Sequence, residues 1–159
     1  MKRIFTLFIA LFIAISMVSC KENKAYTFSF PEKAKYMVTA IDSEIKYTAI
    51  LDGEYQEYIF ISPSTISGLT VKSIDGIDYT IEYNGLTLRS DSKAIEAVAN
   101  FYAAIELLKT AGSVNGNNVM ADIGTAKAIG HINDKETTKI SYTNCGVTEN
   151  YEIKTEATG

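Results

Sequence analysis

Alternating apolar and polar residues, broken by two-residue turns, constrain the fold of this chain most. Residues that alternate with a period of two are typical of β strands, and Asp-Gly and Asn-Gly readily take the positive φ values of a tight hairpin. The segments are Glu44–Leu51 and Glu54–Ile61 around Asp52 and Gly53, and Asp78–Tyr83 and Leu86–Arg89 around Asn84 and Gly85. The middle of the chain is therefore predicted to be antiparallel sheet.

The turns also predict how the strands are aligned. In the first hairpin, the two-residue turn sets Tyr47 opposite Tyr58 on one face. Further along, we expect a three-residue loop that sets Val71 opposite Ile81. A slip of one residue would turn the whole apolar set of a strand to the other face, and this favours the apolar pairing.

One helix is predicted after these strands, from Lys93 to Ala111. Its apolar residues recur at helical spacing and would face the sheet. Strand-like segments resume at Val119 and continue to Lys154. The expected fold class is therefore α+β, with a curved antiparallel sheet, or half-barrel, packed on one long helix.

The N-terminus carries the marks of an export signal. Lys2 and Arg3 precede an apolar run that ends at Ser19 and Cys20, and the cysteine after a small residue resembles the lipobox that signal peptidase II recognises. This resemblance implies a lipoprotein signal peptide over residues 1–19 and a lipidated Cys20. The alternative is an uncleaved membrane helix. The fifteen apolar residues would span about 22 Å as a helix, which is less than the hydrocarbon core of a bilayer, about 30 Å.

We accordingly expect a short tether over residues 20–24 and a single domain over residues 25–159, anchored by lipid to the extracytoplasmic side of the cell membrane. Removing Lys2 and Arg3 from the 15 basic residues leaves 13 against 19 acidic residues, a net charge of −6. That charge argues against nucleic acid as a partner and against electrostatic attraction to anionic lipid. The lipid anchor itself is the expected contact with the membrane.

Three segments suggest a family: ISPSTISGLTV and YTIEYNGLTL before the helix, and NYEIKTEATG at the end. They resemble small Gram-positive cell-envelope lipoproteins with a Lol-type lipoprotein-carrier or RseB-like half-barrel domain. The resemblance implies a curved antiparallel sheet wrapped around helix. In such sequences a further strand usually follows the Thr-Gly turn, which leaves open whether Gly159 is the natural C-terminus.

Motifs for chemistry are nearly absent. The sequence has no CxxC, HExxH, GxSxG or Gly-rich phosphate loop, and its one histidine is His131. A hydrolase would have to combine Ser141 or Cys145 with His131 and Asp122 or Asp134, an arrangement that no motif supports. We therefore expect no enzyme, no catalytic residue, no metal and no cofactor.

Aromatic side chains on the predicted sheet are the remaining candidates for a site. Eight to ten strands spaced by about 4.8 Å are far wider than the 10 to 12 Å that one helix covers. The uncovered surface is predicted to bind a lipid-like or peptide ligand, although core packing explains the same aromatic residues. The expected ligand-binding residues are Tyr47, Tyr58, Phe60, Tyr79, Ile81 and Tyr83.

Two functions follow from this interpretation. The first is a carrier or sensor that binds an apolar or amphipathic ligand without turnover. The alternative is a structural or interaction lipoprotein that docks another envelope protein through a face or an edge of its sheet.

Overall fold

The computed structural model describes residues 30–91, 95–133 and 136–156, which form one antiparallel sheet and one helix. The first six strands are β1 (Lys33–Ala40), β2 (Ile45–Asp52), β3 (Tyr55–Ser62), β4 (Thr70–Ser73), β5 (Asp78–Tyr83) and β6 (Leu86–Asp91). The helix α1 (Glu96–Ala111) follows. The last five strands are β7 (Ser113–Asn115), β8 (Asn118–Ile123), β9 (Ala126–Asn133), β10 (Glu136–Asn144) and β11 (Val147–Glu156).

The sheet consists of two meanders that meet in its middle. Its strand order is β6-β5-β4-β3-β2-β1-β11-β10-β9-β8-β7, and all neighbouring strands are antiparallel. The first meander runs outward from β1 to the edge at β6, and the second returns from the edge at β7 to β11. Pairs such as Lys35 with Glu156 and Ala40 with Tyr151 join the two halves. In the sequence, the helix connects the two edge strands, β6 and β7.

The predicted hairpins are present, with one difference in register. Asn84 and Gly85 form the tight turn with φ values of 50° and 81°, and the predicted pairing of Val71 with Ile81 is confirmed. In the first hairpin the predicted pairing of Tyr47 with Tyr58 is wrong, because Tyr47 pairs with Phe60. Its turn lies one residue later than predicted, so the register moves by two residues and each side chain keeps its face.

The predicted fold class, a half-barrel packed on one long helix, is wrong. The described residues form an open sheet of 11 strands with a single helix of 16 residues. At about 1.5 Å per residue this helix is about 24 Å long, whereas eleven strands at about 4.8 Å span about 48 Å. The helix therefore covers only part of the sheet, and the sheet is the principal element. The predicted helix start at Lys93 lies outside the described residues.

The core lies between the helix and the middle of the sheet. Phe101 projects from the helix into three tyrosine rings, with centroid distances of 6.4 Å to Tyr36, 6.0 Å to Tyr47 and 5.4 Å to Tyr151. Edge-to-face aromatic packing of this kind is favourable beyond the burial of area. The Tyr47 hydroxyl donates to the carbonyl oxygen of Ala97, and the Tyr151 hydroxyl donates to the Glu149 carboxylate and lies 3.2 Å from the same carbonyl oxygen. Aromatic packing and hydrogen bonds together fix the start of the helix over β1, β2 and β11.

The other end of the helix packs on the second meander. An ideal Cβ built on Gly130 of β9 would lie 3.2 Å from Cδ1 of Leu108. Because glycine has no side chain, the side chain of Leu108 can pack directly against β9 at this position. The helix thus covers the centre and the β8–β11 half of the sheet. At the far side of the first meander, β5 is close to the helix only at Tyr79, near Tyr102, whereas Leu86 and Leu88 of β6 stay exposed.

The face opposite the helix, here called the polar face, carries most of the charged side chains of the sheet, next to the exposed apolar side chains of Met37, Ile59 and Ile61. Ion pairs cross it between neighbouring strands: Lys33–Asp52, Lys35–Glu156, Lys72–Glu82 and Lys139–Glu152, at 2.7 to 3.3 Å. Exposed pairs of this kind contribute at most about 1 kcal/mol each. Their main consequence is that this face stays in water while the helix side carries the core.

Candidate functional site

Four of the six predicted ligand-binding residues lie in the core. Tyr47 and Tyr58 have no exposed surface, and Phe60 and Tyr79 are buried as well. The ring of Tyr47 lies 5.8 Å from that of Tyr58 and 5.6 Å from that of Phe60. These rings contact one another and the helix. The surface predicted for a ligand is filled by the protein itself at these four positions.

One apolar surface of this face that the helix leaves uncovered lies on β5 and β6. We call it the edge patch and define it by Ile81, Tyr83, Leu86 and Leu88. Ile81 and Tyr83 are half-buried, whereas Leu88 is 64% and Leu86 70% exposed. Cross-strand pairing puts Ile81 opposite Leu88 and Tyr83 opposite Leu86. Two of the predicted residues therefore belong to an apolar surface that the helix does not cover.

The edge patch ends at a free strand edge. Among the strands that the structure describes, β6 has a neighbour on one side only. It is regular over six residues, with no shift of register against β5 and no proline or lysine in its sequence. Proteins usually protect an edge with short strands, bulges, proline or lysine. The opposite edge, β7, has only three residues, so β6 is the less protected of the two.

Hairpin geometry shows which backbone groups of β6 point outward. Residues that flank a two-residue turn exchange both backbone hydrogen bonds, and such pairs alternate with unbonded ones along an antiparallel ladder. Tyr83 and Leu86 flank the turn, so Leu86 and Leu88 bond inward to β5. Thr87 and Arg89 direct their N–H and C=O groups away from the sheet.

The polar face beneath the same strands carries an open groove of about 740 Å³. Lys72, Thr80 and Arg89 line it and belong to one row of side chains across the strands, which begins at Glu57 on β3. Lys72 Nζ lies 2.8 Å from Glu82 Oε2 and 3.9 Å from Glu57 Oε1. The hydrogen bond to Glu82 raises the pKa of Lys72. The Lys72 ammonium therefore stays charged at neutral pH.

Arg89 is the last residue of that row. Within the described part of the chain it forms no ion pair with any side chain. In a protein of net charge −4, its guanidinium is a local positive charge at the free edge. The next position in the row lies beyond the strands that the structure describes.

A tight turn holds one end of the groove. Asp75 Oδ1 accepts the backbone N–H groups of Ile77 at 2.9 Å and Asp78 at 3.0 Å, and these bonds lower the pKa of the Asp75 carboxyl. Gly76 donates its N–H to Ser73 Oγ at 2.9 Å. Its φ of 72° and the Tyr102 ring, 2.9 Å from an ideal Cβ, both favour glycine here.

Beneath the turn, two buried tyrosine hydroxyls differ in their partners. Tyr58 donates to Gln56 Oε1 at 2.8 Å, whereas the Tyr79 hydroxyl has no partner in the described part of the chain. Burial raises the pKa of Tyr79 to about 12, helped by Tyr102 and Asp75. Both hydroxyls stay neutral at physiological pH.

Residues with catalytic or metal-binding chemistry are dispersed. His131 Nδ1 lies 3.0 Å from Asn118 Oδ1, and Cys145 is exposed with its Sγ 3.8 Å from Thr125 Oγ1. The described residues include no group of three or more His, Cys, Asp or Glu side chains placed to hold a metal ion. Asp134 lies outside the described residues.

Residues 1–29 also lie outside the described part, and with them the predicted signal peptide, the lipidation site at Cys20 and the tether. The one helix of the described part is too short and too polar to cross a bilayer. No protein-family model matches the chain, and no curated protein is similar to it in sequence.

Sequence reasoning missed Leu86, Thr87, Leu88 and Arg89 as site residues. The alternation through Leu86, Thr87, Leu88 and Arg89 did identify a strand with one apolar and one polar face. Whether such a strand lies at an edge depends on strands that are distant in the sequence, so alternation alone could not reveal it.

Proposed function

We propose that this protein is a membrane-anchored binding protein of the cell envelope that takes an apolar or amphipathic ligand at the edge patch without chemical turnover. The observation that carries the proposal is the exposure of Leu86 and Leu88 on the face that elsewhere forms the core. Contiguous apolar surface beside a polar rim is typical of interaction sites. Lipidation at Cys20, on the extracytoplasmic side of the cell membrane, would keep this surface close to the bilayer.

Burial of apolar area would supply most of the binding free energy, at about 25 cal/mol per Å² before the cost of ordering. The patch is open and shallow, so we expect modest affinity that depends little on salt. The predicted residues Ile81 and Tyr83 contribute its floor, and Leu86 and Leu88 contribute its exposed part. Tyr47, Tyr58, Phe60 and Tyr79 support it from the core.

A photoreactive fatty acid tests this proposal on the full chain in phosphatidylcholine nanodiscs. After irradiation, peptide mapping should find the label on β5 and β6. Leu88→Asp should remove the label, because a charge interrupts the apolar surface. Thr87→Asp is the matched control, since it puts the same charge on the opposite face of the same strand. Equal labelling of both variants, or labelling elsewhere only, would contradict the proposed site.

A second candidate function is docking of another envelope protein through the sheet, and the free edge of β6 favours it. The patch and the edge share one strand, so a protein segment could use both. Concentration-dependent binding of a partner that Leu88→Asp abolishes would support this form.

A further inference from the structure

Three surfaces meet at β6: an apolar patch on one face, a charged groove on the other, and between them outward backbone groups that pair with no described strand. We propose that the occupant of this site is an extended peptide segment of another protein, which adds to β6 as a twelfth, antiparallel strand. The inference rests on the proposed function and names its ligand class. Main-chain hydrogen bonds would give such a strand affinity, and alternate side chains would give it specificity.

The row on the helix side defines one property of the segment. Tyr58, Val71, Ile81 and Leu88 follow one another across β3, β4, β5 and β6. A further strand continues this row, so its residue opposite Leu88 must be apolar. The same holds opposite Leu86, two residues away on the same face.

The row on the polar face defines a second property. It runs from the Glu57 carboxylate through the Lys72 ammonium and the Thr80 hydroxyl to the Arg89 guanidinium. A residue placed opposite Arg89 meets a cation that has no other ion-pair partner in the described part. Directly opposite charges on neighbouring strands stabilise a sheet. The segment should therefore be acidic at this position.

Together the two rows give a short recognition pattern. An antiparallel strand presents its residues opposite Arg89, Leu88, Thr87 and Leu86 in that order along its own sequence. The expected pattern is an acidic residue, an apolar residue, any residue and a second apolar residue. Outward N–H and C=O groups of Thr87 and Arg89 would pair with its backbone.

A second copy of this chain fits the site less well. Antiparallel pairing of β6 with itself can set Leu86 opposite Leu88, but Arg89 then lies opposite Gly85 and gains no carboxylate. Pairing Arg89 with Asp91 of the second copy instead moves both leucines opposite positions beyond the end of β6. The strand's own sequence, LTLRSD, cannot satisfy both rows at once.

A synthetic peptide of about eight residues tests the inference. Its sequence alternates valine and threonine, except for one glutamate at the position expected opposite Arg89. A second peptide has glutamine in place of this glutamate. Binding to the full chain in phosphatidylcholine nanodiscs is measured by fluorescence anisotropy. We expect saturable binding of the glutamate peptide and a two- to fivefold weaker affinity for the glutamine peptide, about the effect of one exposed ion pair.

Thr87→Pro removes an outward N–H group and leaves the inward bonds of β6 to β5 in place. It should weaken peptide binding by about tenfold or more, whereas Thr87→Val, which keeps the N–H, should not. Thermal melting shows whether the proline variant folds. In Arg89→Glu the preference should reverse, so that a peptide with lysine in place of the glutamate binds better than the glutamate peptide. This test does not depend on the folding of the proline variant.

The outcomes separate the inference from the proposed function. Fatty-acid labelling of the edge patch without peptide binding would overturn strand addition and leave the proposed function standing. Absence of both labelling and peptide binding would overturn both. Peptide binding that survives Thr87→Pro in a folded protein, or concentration-dependent dimers through β6 that exclude the peptide, would also overturn the inference.

Discussion

Buried polar atoms show how unevenly single residues contribute to this fold. Tyr58 on β3 and Tyr79 on β5 are both buried tyrosines on the same face of the sheet, with β4 between their strands. Their hydroxyls differ, because only that of Tyr58 has a partner, Gln56 Oε1. Burying a polar group without a hydrogen bond costs more than the bond itself contributes.

Removing each hydroxyl should therefore have opposite effects. Tyr58→Phe leaves Gln56 Oε1 buried without its donor, so the free energy of unfolding should fall by about 1 to 3 kcal/mol. Tyr79→Phe removes an unpartnered hydroxyl and should leave the stability unchanged or slightly higher. Urea denaturation of both variants measures the difference. A larger loss for Tyr79→Phe than for Tyr58→Phe would show that Tyr79 has a polar role.

At the scale of the element, the helix is held by one apolar stripe rather than by its ends. Its N-cap, Ile95, makes no side-chain cap bond. The buried residues of the stripe are Val98, Phe101, Ala104, Ile105 and Leu108. Since isolated helices of this length are marginal in water, packing of this stripe supplies most of the stability of the helix.

A charge in the stripe should separate packing from helix propensity. Ile105→Asp puts an unpaired carboxylate in the core and should destabilise the protein by several kcal/mol. Thr110→Asp introduces the same residue on the exposed side of the same helix and should cost less than about 1 kcal/mol. Thermal melts of the two variants provide the comparison, and equal losses would contradict the observed orientation of the helix.

The sequence predicted elements better than it predicted their arrangement. Asn84 and Gly85 determine their hairpin locally, and so the pairing of Val71 with Ile81 could be predicted from turn chemistry and alternation. The turn predicted at Asp52 and Gly53 lies instead at Gly53 and Glu54, since Gly53 with either neighbour fits a tight turn, and the register differs by two residues. Pairing of β1 with β11 depends on residues more than one hundred positions apart, which no local pattern specifies.

The same limit applies to the candidate site. Six residues were predicted to line one face of the sheet, and all six lie on the helix side. Which of them remain exposed depends on where the helix lies across the sheet. The contacts of Phe101 with Tyr36, Tyr47 and Tyr151 hold the helix over the centre, so the centre is covered and the β6 edge is not.

For the whole molecule, attachment to the membrane remains a prediction from the N-terminal sequence. Cys20→Ala should abolish incorporation of labelled palmitate in cells and leave a slower-migrating precursor, because the modified residue is lost. Cys145→Ala is the matched control: it removes the exposed thiol of the described domain and should leave labelling unchanged. Labelling that persists in Cys20→Ala would refute the anchor.

The position of β1 in the middle of the sheet has a mechanical consequence. Tension that reaches the domain along the chain before Lys33 loads a strand that is hydrogen-bonded lengthwise on both sides, to β2 and to β11. Such a strand resists extraction under a shearing force, because many backbone hydrogen bonds must break together. The hydrogen bonds of an edge strand can instead break one at a time. If the protein is tethered through its N-terminus and a partner bound to β6 pulls on it, the partner would therefore dissociate from β6 before the domain unfolds.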